Sequence, residues 1–247
     1  MDIKALRQKI LDLAIRGKLV PQDPNDEPAS VLLEKIREQK QQMFKEGKLK
    51  KKDIKNDSII FKGEDNLHYE KFADGSVKCI EDEIPFELPE GWAWARLGSV
   101  FLTVTGSTPS TKDFSLYGTD YPFYKPTDLD AGYKVFKSES TVSEKGYRSG
   151  RPLPPHSILV TCIGATIGKT GYIHNAGICN QQINAILPNT DILSDYTYFC
   201  ICSQFEQQQI LMNSSATTLP ILNKGKFDNL LFPVPPHEQQ LLIVDKI

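Results

Sequence analysis

The region from about residue 85 to residue 235 constrains the fold of this chain most strongly. It contains short runs of apolar, β-branched and aromatic residues separated by turn residues, and such runs are typical of strands. One helix, about Asp195 to Leu211, interrupts them, and two long loops cover residues 105–121 and 128–151. Because loops of this size inside a compact domain are usually functional or disordered, we predict a β-rich domain with functional loops. The predicted strands are Ala93–Leu97, Pro122–Tyr124, Ser157–Cys162, Lys169–Ile173, Ile183–Leu187 and Leu230–Val234.

Helices are predicted on both sides of this domain. Ile3, Leu6 and Ile10 recur at three- and four-residue spacing, which indicates an amphipathic helix. A second helix begins near Pro28, a residue favoured in a first helical turn. A third begins at His237; it is too short to be stable alone, so it needs a partner or continues in a longer parent chain. The sequence therefore predicts an α+β protein, a mixed β-rich domain flanked by helices.

The predicted domain boundaries follow from these changes in residue pattern and charge along the chain. Residues 1–52 form an N-terminal helical segment with a basic run, and residues 53–84 form an acidic connector with one short strand. Residues 85–235 form the β-rich domain, and residues 236–247 form the start of the last helix.

Charge is distributed unevenly along the chain, although its formal net charge is only −2. Residues 40–55 hold seven lysines against Glu46 and Asp53, and residues 56–90 hold ten acidic residues against three lysines. The basic run is either a solvated helix end or linker, or an arm that contacts phosphate. Residues 91–235 carry eleven basic and ten acidic side chains. A nucleic-acid-binding face there requires that positive charge be sorted onto one surface.

The cysteines and the apolar runs limit the class of protein. No run approaches the roughly eighteen apolar residues of a membrane helix, and the first helix mixes basic and apolar positions, unlike a signal peptide. The histidines are scattered, so we predict no metal site, no cofactor and no membrane partner, and a cytoplasmic location. Five cysteines without disulfide or metal-binding spacing are interpreted as structural: Cys79, Cys162, Cys179, Cys200 and Cys202.

The stretch Gly164–Thr170 looks like a phosphate-binding loop. However, three residues separate Gly164 from Gly168, where the motif requires four. The residues after Lys169 read as a strand and not as the helix whose N-terminus would hold a phosphate. A tight β-hairpin is the preferred interpretation. The alternative is a small nucleotide hydrolase built around this loop, and an assay of ATP turnover would separate the two.

Two polar segments have side chains suited to nucleic acid. Residues 105–112 are rich in hydroxyls, and residues 180–184 hold four amide side chains in five positions. Hydroxyls and amides bond phosphates and base edges. The first segment is equally compatible with a solvated turn. For Asn180 and Gln182 we prefer a structural role, because amides at a strand start satisfy loop backbone.

Seven stretches together resemble the specificity subunits of type I restriction–modification enzymes. Each is weak by itself, but their order and spacing are specific, and they span nearly the whole chain except the acidic connector. The stretches are Leu6–Arg37, Pro85–Val100, Val104–Ser110, Tyr121–Leu129, Ile158–Gly171, Cys179–Ile186 and Phe232–Ile247.

The resemblance implies that a target-recognition domain, about Pro85 to Pro235, reads one half of a bipartite site in double-stranded DNA. It implies that the flanking helices belong to a coiled-coil spacer that docks methyltransferase and restriction subunits. Those subunits would carry the chemistry, which leaves this chain non-catalytic. A full subunit has two recognition domains, so this chain is either a fragment or a half-subunit that pairs with a second copy. Such a pair would place two identical recognition domains on the DNA and select a palindromic site.

The residues that we expect to contact DNA are polar or basic and lie mostly in loops of the recognition domain. Lysines would position the protein on phosphates, and hydroxyls would touch bases. No catalytic or metal-binding residue is assigned. The candidates are Ser107, Thr108, Ser110, Lys112, Tyr124, Lys125, Arg148, Lys169 and Lys224.

Overall fold

The chain forms two compact units, each assembled from segments that are distant in the sequence. The computed structural model describes residues 2–215 and 219–247. The two units interleave along the chain, whereas the predicted domains are consecutive segments, and those boundaries stay predictions. The first unit comprises Met1–Val100, Asp191–Glu206 and Asp228–Ile247, and the second comprises Phe101–Thr190 and Gln207–Phe227.

Helices and strands alternate irregularly, as expected for an α+β protein. The helices are α1 (Ile3–Ile15), α2 (Ala29–Lys45), α3 (Lys51–Ile54), α4 (Leu97–Val100), α5 (Glu144–Ser149), α6 (Ser194–Ile201), α7 (Gln204–Asn213), α8 (Lys224–Asp228) and α9 (His237–Lys246). The strands are β1 (Ser58–Lys62), β2 (His68–Phe72), β3 (Val77–Cys79), β4 (Ala93–Arg96), β5 (Thr103–Thr105), β6 (Tyr117–Tyr124), β7 (Ser140–Val142), β8 (Ile158–Thr161), β9 (Thr170–Tyr172), β10 (Ile178–Cys179), β11 (Ile183–Ile186) and β12 (Leu231–Val234). Three further segments are 3-10 turns: Glu81–Glu83, Phe114–Leu116 and Asp128–Lys134.

The flanking helices α1, α2 and α9 form where the sequence predicts them. Helix α1 begins after Asp2, whose carboxylate accepts hydrogen bonds from two main-chain N–H groups of the first turn. The helix buries Leu11 and Ile15 but leaves Ile3 76% and Leu6 41% exposed. Its apolar stripe is therefore covered only towards the C-terminal end.

The acidic segment, for which the sequence predicts one short strand, forms three strands that pair antiparallel in the order β1-β2-β3. The prediction of a single strand was wrong because β1–β3 mix apolar residues with charged ones and show no sustained alternation. Their polar side chains bond to one another. Ser58 Oγ, for example, donates to Glu70 Oε1 over 2.5 Å. The Asp74–Gly75 pair in the β2–β3 turn is a hairpin signal that the sequence does carry.

Arg96 ties this sheet to the antiparallel pair β4–β12. Its guanidinium Nη2 lies 2.6 Å from Glu70 Oε2 and 2.7 Å from Glu83 Oε2. The side chains of Arg96 and Glu70 are only 5% and 3% exposed. Burial raises the pKa of Glu83, but hydrogen bonds from Lys78 and Arg96 lower it more, so its pKa lies below the usual value. The buried cation is thus matched by two carboxylates.

One lysine of the basic run has a structural role. Lys40 is 4% exposed, and its Nζ lies 2.8 Å from Asp57 Oδ1 and 2.6 Å from the carbonyl oxygen of Gly98. It therefore anchors α2 and is not placed to contact a phosphate. Both interpretations stay open for the exposed remainder of the run, which is Lys45, Lys48, Lys50, Lys51, Lys52 and Lys55.

The helix predicted over residues 195–211 is two helices, α6 and α7. Ser203 lies between them, and its Oγ accepts a hydrogen bond from the main-chain N–H of Glu206 over 3.3 Å. Serine at this position offers the backbone a capping partner, which starts a new helix inside an otherwise helical pattern.

The second unit contains two sheets. The larger has the order β5-β11-β8-β9 and is antiparallel throughout. The smaller has the order β10-β6-β7, with β10 parallel to β6. Strands β5, β7 and β10 were not predicted because two or three residues are too few to show a period. The core residues are Tyr124, Leu129, Val135, Leu153, Leu159, Ile173, Cys179, Ile183 and Ala185.

The five thiols differ in accessibility, and this gives a first prediction. Cys79 is exposed and Cys202 is partly buried, whereas Cys162, Cys179 and Cys200 are buried. Burial raises the pKa of Cys162 and Cys179 to about 12. Since only the thiolate reacts, we expect a disulfide reagent such as DTNB to modify Cys79 quickly and Cys202 slowly. The buried three should react only after unfolding. Cys79→Ser should abolish the fast phase, and a fast phase of several thiols would contradict the packing.

Three further observations concern residues 2–215 and 219–247 only. The cysteines there form no disulfide. No group of three or more His, Cys, Asp and Glu side chains is arranged to hold a metal ion. None of the helices combines the length and the apolar character that crossing a membrane requires.

Candidate nucleic-acid interface

The fold separates charge in a way that the sequence average hides. The second unit contains ten basic and six acidic residues, a formal net charge of +4. The first unit contains nineteen basic and twenty-five acidic residues, a formal net charge of −6. All nine candidate DNA-contacting residues belong to the second unit. A basic unit attracts a polyanion even when the whole chain is acidic.

The hydroxyl-rich loop after β5 is held by main-chain contacts. The N–H of Gly106 donates to the carbonyl oxygen of Ile183, and the N–H of Ser107 donates to that of Cys179, each over 2.9 Å. Thr108 is exposed, and its Oγ1 donates to Gln181 Oε1 over 2.6 Å. The start of the loop therefore has a defined position beside β10 and β11.

This loop forms one side of an open cleft of about 550 Å³ in the second unit. The cleft combines hydroxyl, amide and ammonium groups with aromatic rings, which is the mixture that base edges and base faces can bind. Two candidate residues, Thr108 and Lys125, lie in it. The lining residues are Thr108, Thr111, Phe114, Tyr117, Phe123, Lys125, Ser140, Thr141 and Asn180.

Lys125 is held at the end of β6 by three contacts. Its Nζ donates to Ser140 Oγ over 2.7 Å and lies 5.4 Å from the ring centroid of Phe123. Its main-chain N–H donates to Asp128 Oδ2 over 2.7 Å. The ammonium is thus placed at the cleft wall and not extended into solvent.

The other candidates lie outside the cleft lining. Ser110 and Lys112 are exposed on the same loop as Thr108. Arg148 is exposed on α5, where its Nε lies 2.5 Å from Glu144 Oε1. Lys169 Nζ lies 2.6 Å from Asp130 Oδ1, and Lys224 begins α8.

Tyr124 is the one candidate that the structure argues against. Its side chain is fully buried, and its hydroxyl donates to the carbonyl oxygen of Asn175 over 3.0 Å. Burial raises the pKa of this hydroxyl well above its usual value. Because side chains alternate along a strand, Phe123 faces the cleft and Tyr124 faces the core. We therefore withdraw Tyr124 from the DNA-contacting set.

The Gly164–Thr170 stretch forms a tight hairpin connection, as predicted. It joins β8 to β9, which pair antiparallel. The main-chain N–H of Gly168 donates to the carbonyl oxygen of Thr161 over 2.8 Å. A phosphate-binding loop leads into a helix whose N-terminus faces the anion, and here a strand follows. The hydrolase alternative has no structural basis in this loop.

Sequence reasoning assigned no DNA contact to several residues that line the cleft. Phe114 carried a readable signal, since it is the one phenylalanine in a loop of mostly polar residues. Tyr117 and Thr141 carried none, because strand pairing brings them together from distant positions. Asn180 forms the predicted structural contacts, with its Oδ1 accepting from the N–H of Gln182 over 3.1 Å, yet it also faces the cleft.

Comparison with known proteins yields one family and several relatives. The model of the type I restriction modification DNA specificity domain matches residues 89–247. The EcoAI specificity subunit of Escherichia coli is 44% identical over 117 residues, which is 47% of this chain and 16% of that protein. The EcoEI specificity subunit of Escherichia coli is 46% identical over 98 residues, which is 40% of this chain and 13% of that protein. The HindI specificity subunit of Haemophilus influenzae is 30% identical over 155 residues, 61% of this chain and 33% of that protein. The matches span about a third or less of each relative.

Solved structures show the same fold. A chain from a type I R-M system, whose complex assembly and conformational transition have been described, superposes with a TM-score of 0.51 at 21% identity. It covers 65% of this chain and 38% of its own length. The HsdS subunit from Thermoanaerobacter tengcongensis gives a TM-score of 0.50 at 21% identity. The superposition covers 65% of this chain and 37% of that subunit. At this level of identity the likeness concerns the fold, and it agrees with the predicted α+β class.

Proposed function

Because the chain belongs to the family of type I restriction modification DNA specificity domains, we propose that its second unit reads one half of a bipartite DNA site. The observation that carries this proposal is the cleft lined by Thr108 and Lys125 in a unit of net charge +4. Hydroxyl and amide groups there bond base edges, while the lysines position the duplex through its phosphates. Lys112, Lys169, Lys224 and Arg148 are further basic residues of the same unit.

The proposal assigns chemistry to other subunits. Methyl transfer and cleavage belong to methyltransferase and restriction subunits, and this chain works without a cofactor in the cytoplasm, where DNA and these partners meet. Helices α1 and α9 of the first unit support docking, since Ile3, Leu6, Leu241 and Leu242 are 41% to 76% exposed. The second recognition domain belongs either to a longer parent chain or to a second copy of this chain.

Selection from a random duplex library tests the recognition claim. The full chain is used with and without a methyltransferase subunit, and bound duplexes are sequenced after each round. We expect one short motif to be enriched, most strongly with the methyltransferase present. A motif repeated with twofold symmetry supports pairing of two copies, whereas a single unrepeated motif contradicts it. If neither preparation enriches a motif, the proposed function is wrong.

Lys112→Ala should weaken binding to every duplex and not to one sequence alone. Lys112 is exposed on the loop that borders the cleft, and a lysine on phosphate contributes affinity without reading bases. We expect affinity to fall roughly 3- to 10-fold for both selected and random duplexes. The slope of log K against log salt should decrease by about 0.9, one released counterion. Titrations at several salt concentrations measure both quantities.

Lys169→Ala provides a second test of the same surface, and Lys62→Ala provides the control. Lys62 pairs with Glu87, as Lys169 pairs with Asp130, but Lys62 belongs to the acidic first unit, so its removal should change neither affinity nor slope. Unchanged affinity and slope in both the Lys112 and Lys169 variants would exclude phosphate contacts at these positions.

A further inference from the structure

Phe114 is the most exposed phenylalanine among the described residues, with 84% of its surface open to solvent. It lies in the 3-10 turn Phe114–Leu116 and lines the cleft of the second unit. Exposing a whole aromatic ring to water is unfavourable. A ring in such a place gains free energy when a ligand covers it.

The turn that carries Phe114 is fixed from both sides. The carboxylate of Asp113 accepts from the main-chain N–H of Ser115 over 3.0 Å, and Lys145 Nζ lies 3.1 Å from the same side chain. Ser143 donates through its Oγ to the carbonyl oxygen of Ser115 over 2.6 Å, and through its N–H to that of Leu116 over 3.1 Å. These contacts fix the backbone of the turn from which the Phe114 side chain projects.

Close backbone packing completes this support. A Cβ atom on Gly146 would lie 2.0 Å from the carbonyl oxygen of Leu116, so only glycine allows α5 to approach the turn this closely. The side chain of Leu116 is itself buried, with 8% exposed. The turn therefore places the side chain of Leu116 in the core and that of Phe114 in the cleft.

The surroundings of the ring indicate what covers it. Thr108, Lys125 and Asn180 place a hydroxyl, an ammonium and an amide in the same cleft. A ligand that fits needs an apolar surface for Phe114 and hydrogen-bonding edges for its neighbours, and it must tolerate a basic unit. A nucleobase in DNA has these properties, with an apolar face or a thymine methyl group beside polar edges. A phosphate does not, because the ring offers it no hydrogen bond.

We propose that Phe114 packs against a base of the recognised half-site and is a specificity-determining residue. This inference rests on the proposed function, which supplies the DNA. Phe114 would read shape and apolar surface at one or two base-pair positions, whereas the lysines of the same unit would contribute affinity for any sequence. Its contribution should therefore depend on sequence and not on salt.

Phe114→Ala tests this directly in the full chain with the methyltransferase subunit. Fluorescence anisotropy is measured on the duplex enriched by selection and on a random duplex of equal length. We expect about a 10-fold loss of affinity for the enriched duplex and less than about a twofold change for the random one. The salt slope should not change, because no charge is removed. Repeating the selection should give the same motif with preference lost at one or two adjacent positions.

Three controls separate this role from others. Phe114→Tyr keeps the ring and should retain the affinity. Phe136→Ala removes a ring that is 55% exposed but does not line the cleft, and it should bind as wild type does. Because Phe114 is solvent-exposed, the alanine variant should unfold at the wild-type temperature.

The outcomes distinguish failure of this inference from failure of the proposed function. If wild type enriches a motif and Phe114→Ala binds that motif equally well, the assignment of Phe114 is wrong while DNA recognition stands. If Phe114→Ala instead loses only its affinity for the methyltransferase subunit and keeps the motif, the ring docks protein and the inference is overturned. If wild type enriches no motif, both fail together.

Discussion

Arg96→Ala is expected to lower the free energy of unfolding of the first unit by about 3–5 kcal/mol. Arg96 is 5% exposed and holds Glu70, which is 3% exposed, through two guanidinium nitrogens. Removing the arginine leaves a buried carboxylate without its cation, and desolvation of that charge is then uncompensated. The second carboxylate, Glu83, loses a 2.7 Å contact at the same time.

Urea unfolding followed by tryptophan fluorescence measures this effect. The chain has two tryptophans, Trp92 and Trp94, and both belong to the first unit. Lys62→Ala is the matched control, because its ion pair with Glu87 is exposed and contributes only about 0–1 kcal/mol. If Arg96→Ala cost no more than the control, the Arg96–Glu70 pair would not be isolated from water.

Acid should weaken the same network. The pKa of Glu83 lies below its usual value of 4.5 in the folded state. A carboxyl whose pKa is lowered by folding contributes stability above its unfolded pKa and loses it as the pH falls through the folded value. The difference in stability between wild type and Arg96→Ala should therefore be full at neutral pH and shrink below about pH 4.5. A difference that grew on acidification would contradict this sign.

Gly106→Ala is expected to abolish most sequence-specific DNA binding, with a loss of roughly 10- to 100-fold. A Cβ atom at Gly106 would lie 2.1 Å from the carbonyl oxygen of Asn180 and 2.4 Å from that of Cys179. Both oxygens belong to main chain beside β10, so neither can rotate away. The loop must move instead, and it carries Thr108 out of the cleft. Anisotropy on the enriched duplex measures the loss.

Gly225→Ala is the control for this substitution. A Cβ atom there would contact only Asn223 Oδ1, at an ordinary 3.5 Å, and alanine suits the helix α8. We expect wild-type affinity for this variant. Gly106→Ala should still unfold cooperatively, since overpacking typically costs about 1–3 kcal/mol, and this separates a displaced loop from an unfolded protein. Retention of full affinity by Gly106→Ala would show that the loop position does not determine recognition.

The strands that the sequence predicted correctly are those whose apolar residues are enough to show a pattern. Strands β8 and β11 are buried at every position, and apolar residues fill three of the four positions in each, which marks them. Strands β1–β3 depend instead on contacts such as Arg96 with Glu70, between residues far apart in sequence. Charged residues such as Glu70, Lys71 and Lys78 interrupt the apolar residues of these strands. Local pattern therefore predicts where apolar surface is buried and misses sheets that are held by charge.

The candidate site was predictable in its chemistry but not in its geometry. The hydroxyl loop and Lys125 were identified because their side chains suit DNA. Their meeting in one cleft depends on the pairing of β6 with β7 and of β10 with β6, which no local signal encodes. Tyr124 shows the limit most clearly, since one position along β6 separates a cleft wall from the core, and the sequence alone does not state which face is which.

The pairing of β4 with β12 has a consequence for synthesis of the protein. Arg96 lies opposite Leu231 in this pair. Every residue of the second unit lies between these two positions in the sequence. A ribosome adding about 5–20 residues per second would therefore leave β4 without its partner for roughly 7 to 27 seconds. During that interval Trp94 and the edge of β4 stay uncovered, because the second unit, whose last segment is Gln207–Phe227, is synthesised first. The β4–β12 pair of the first unit can therefore form only after the whole second unit has been synthesised.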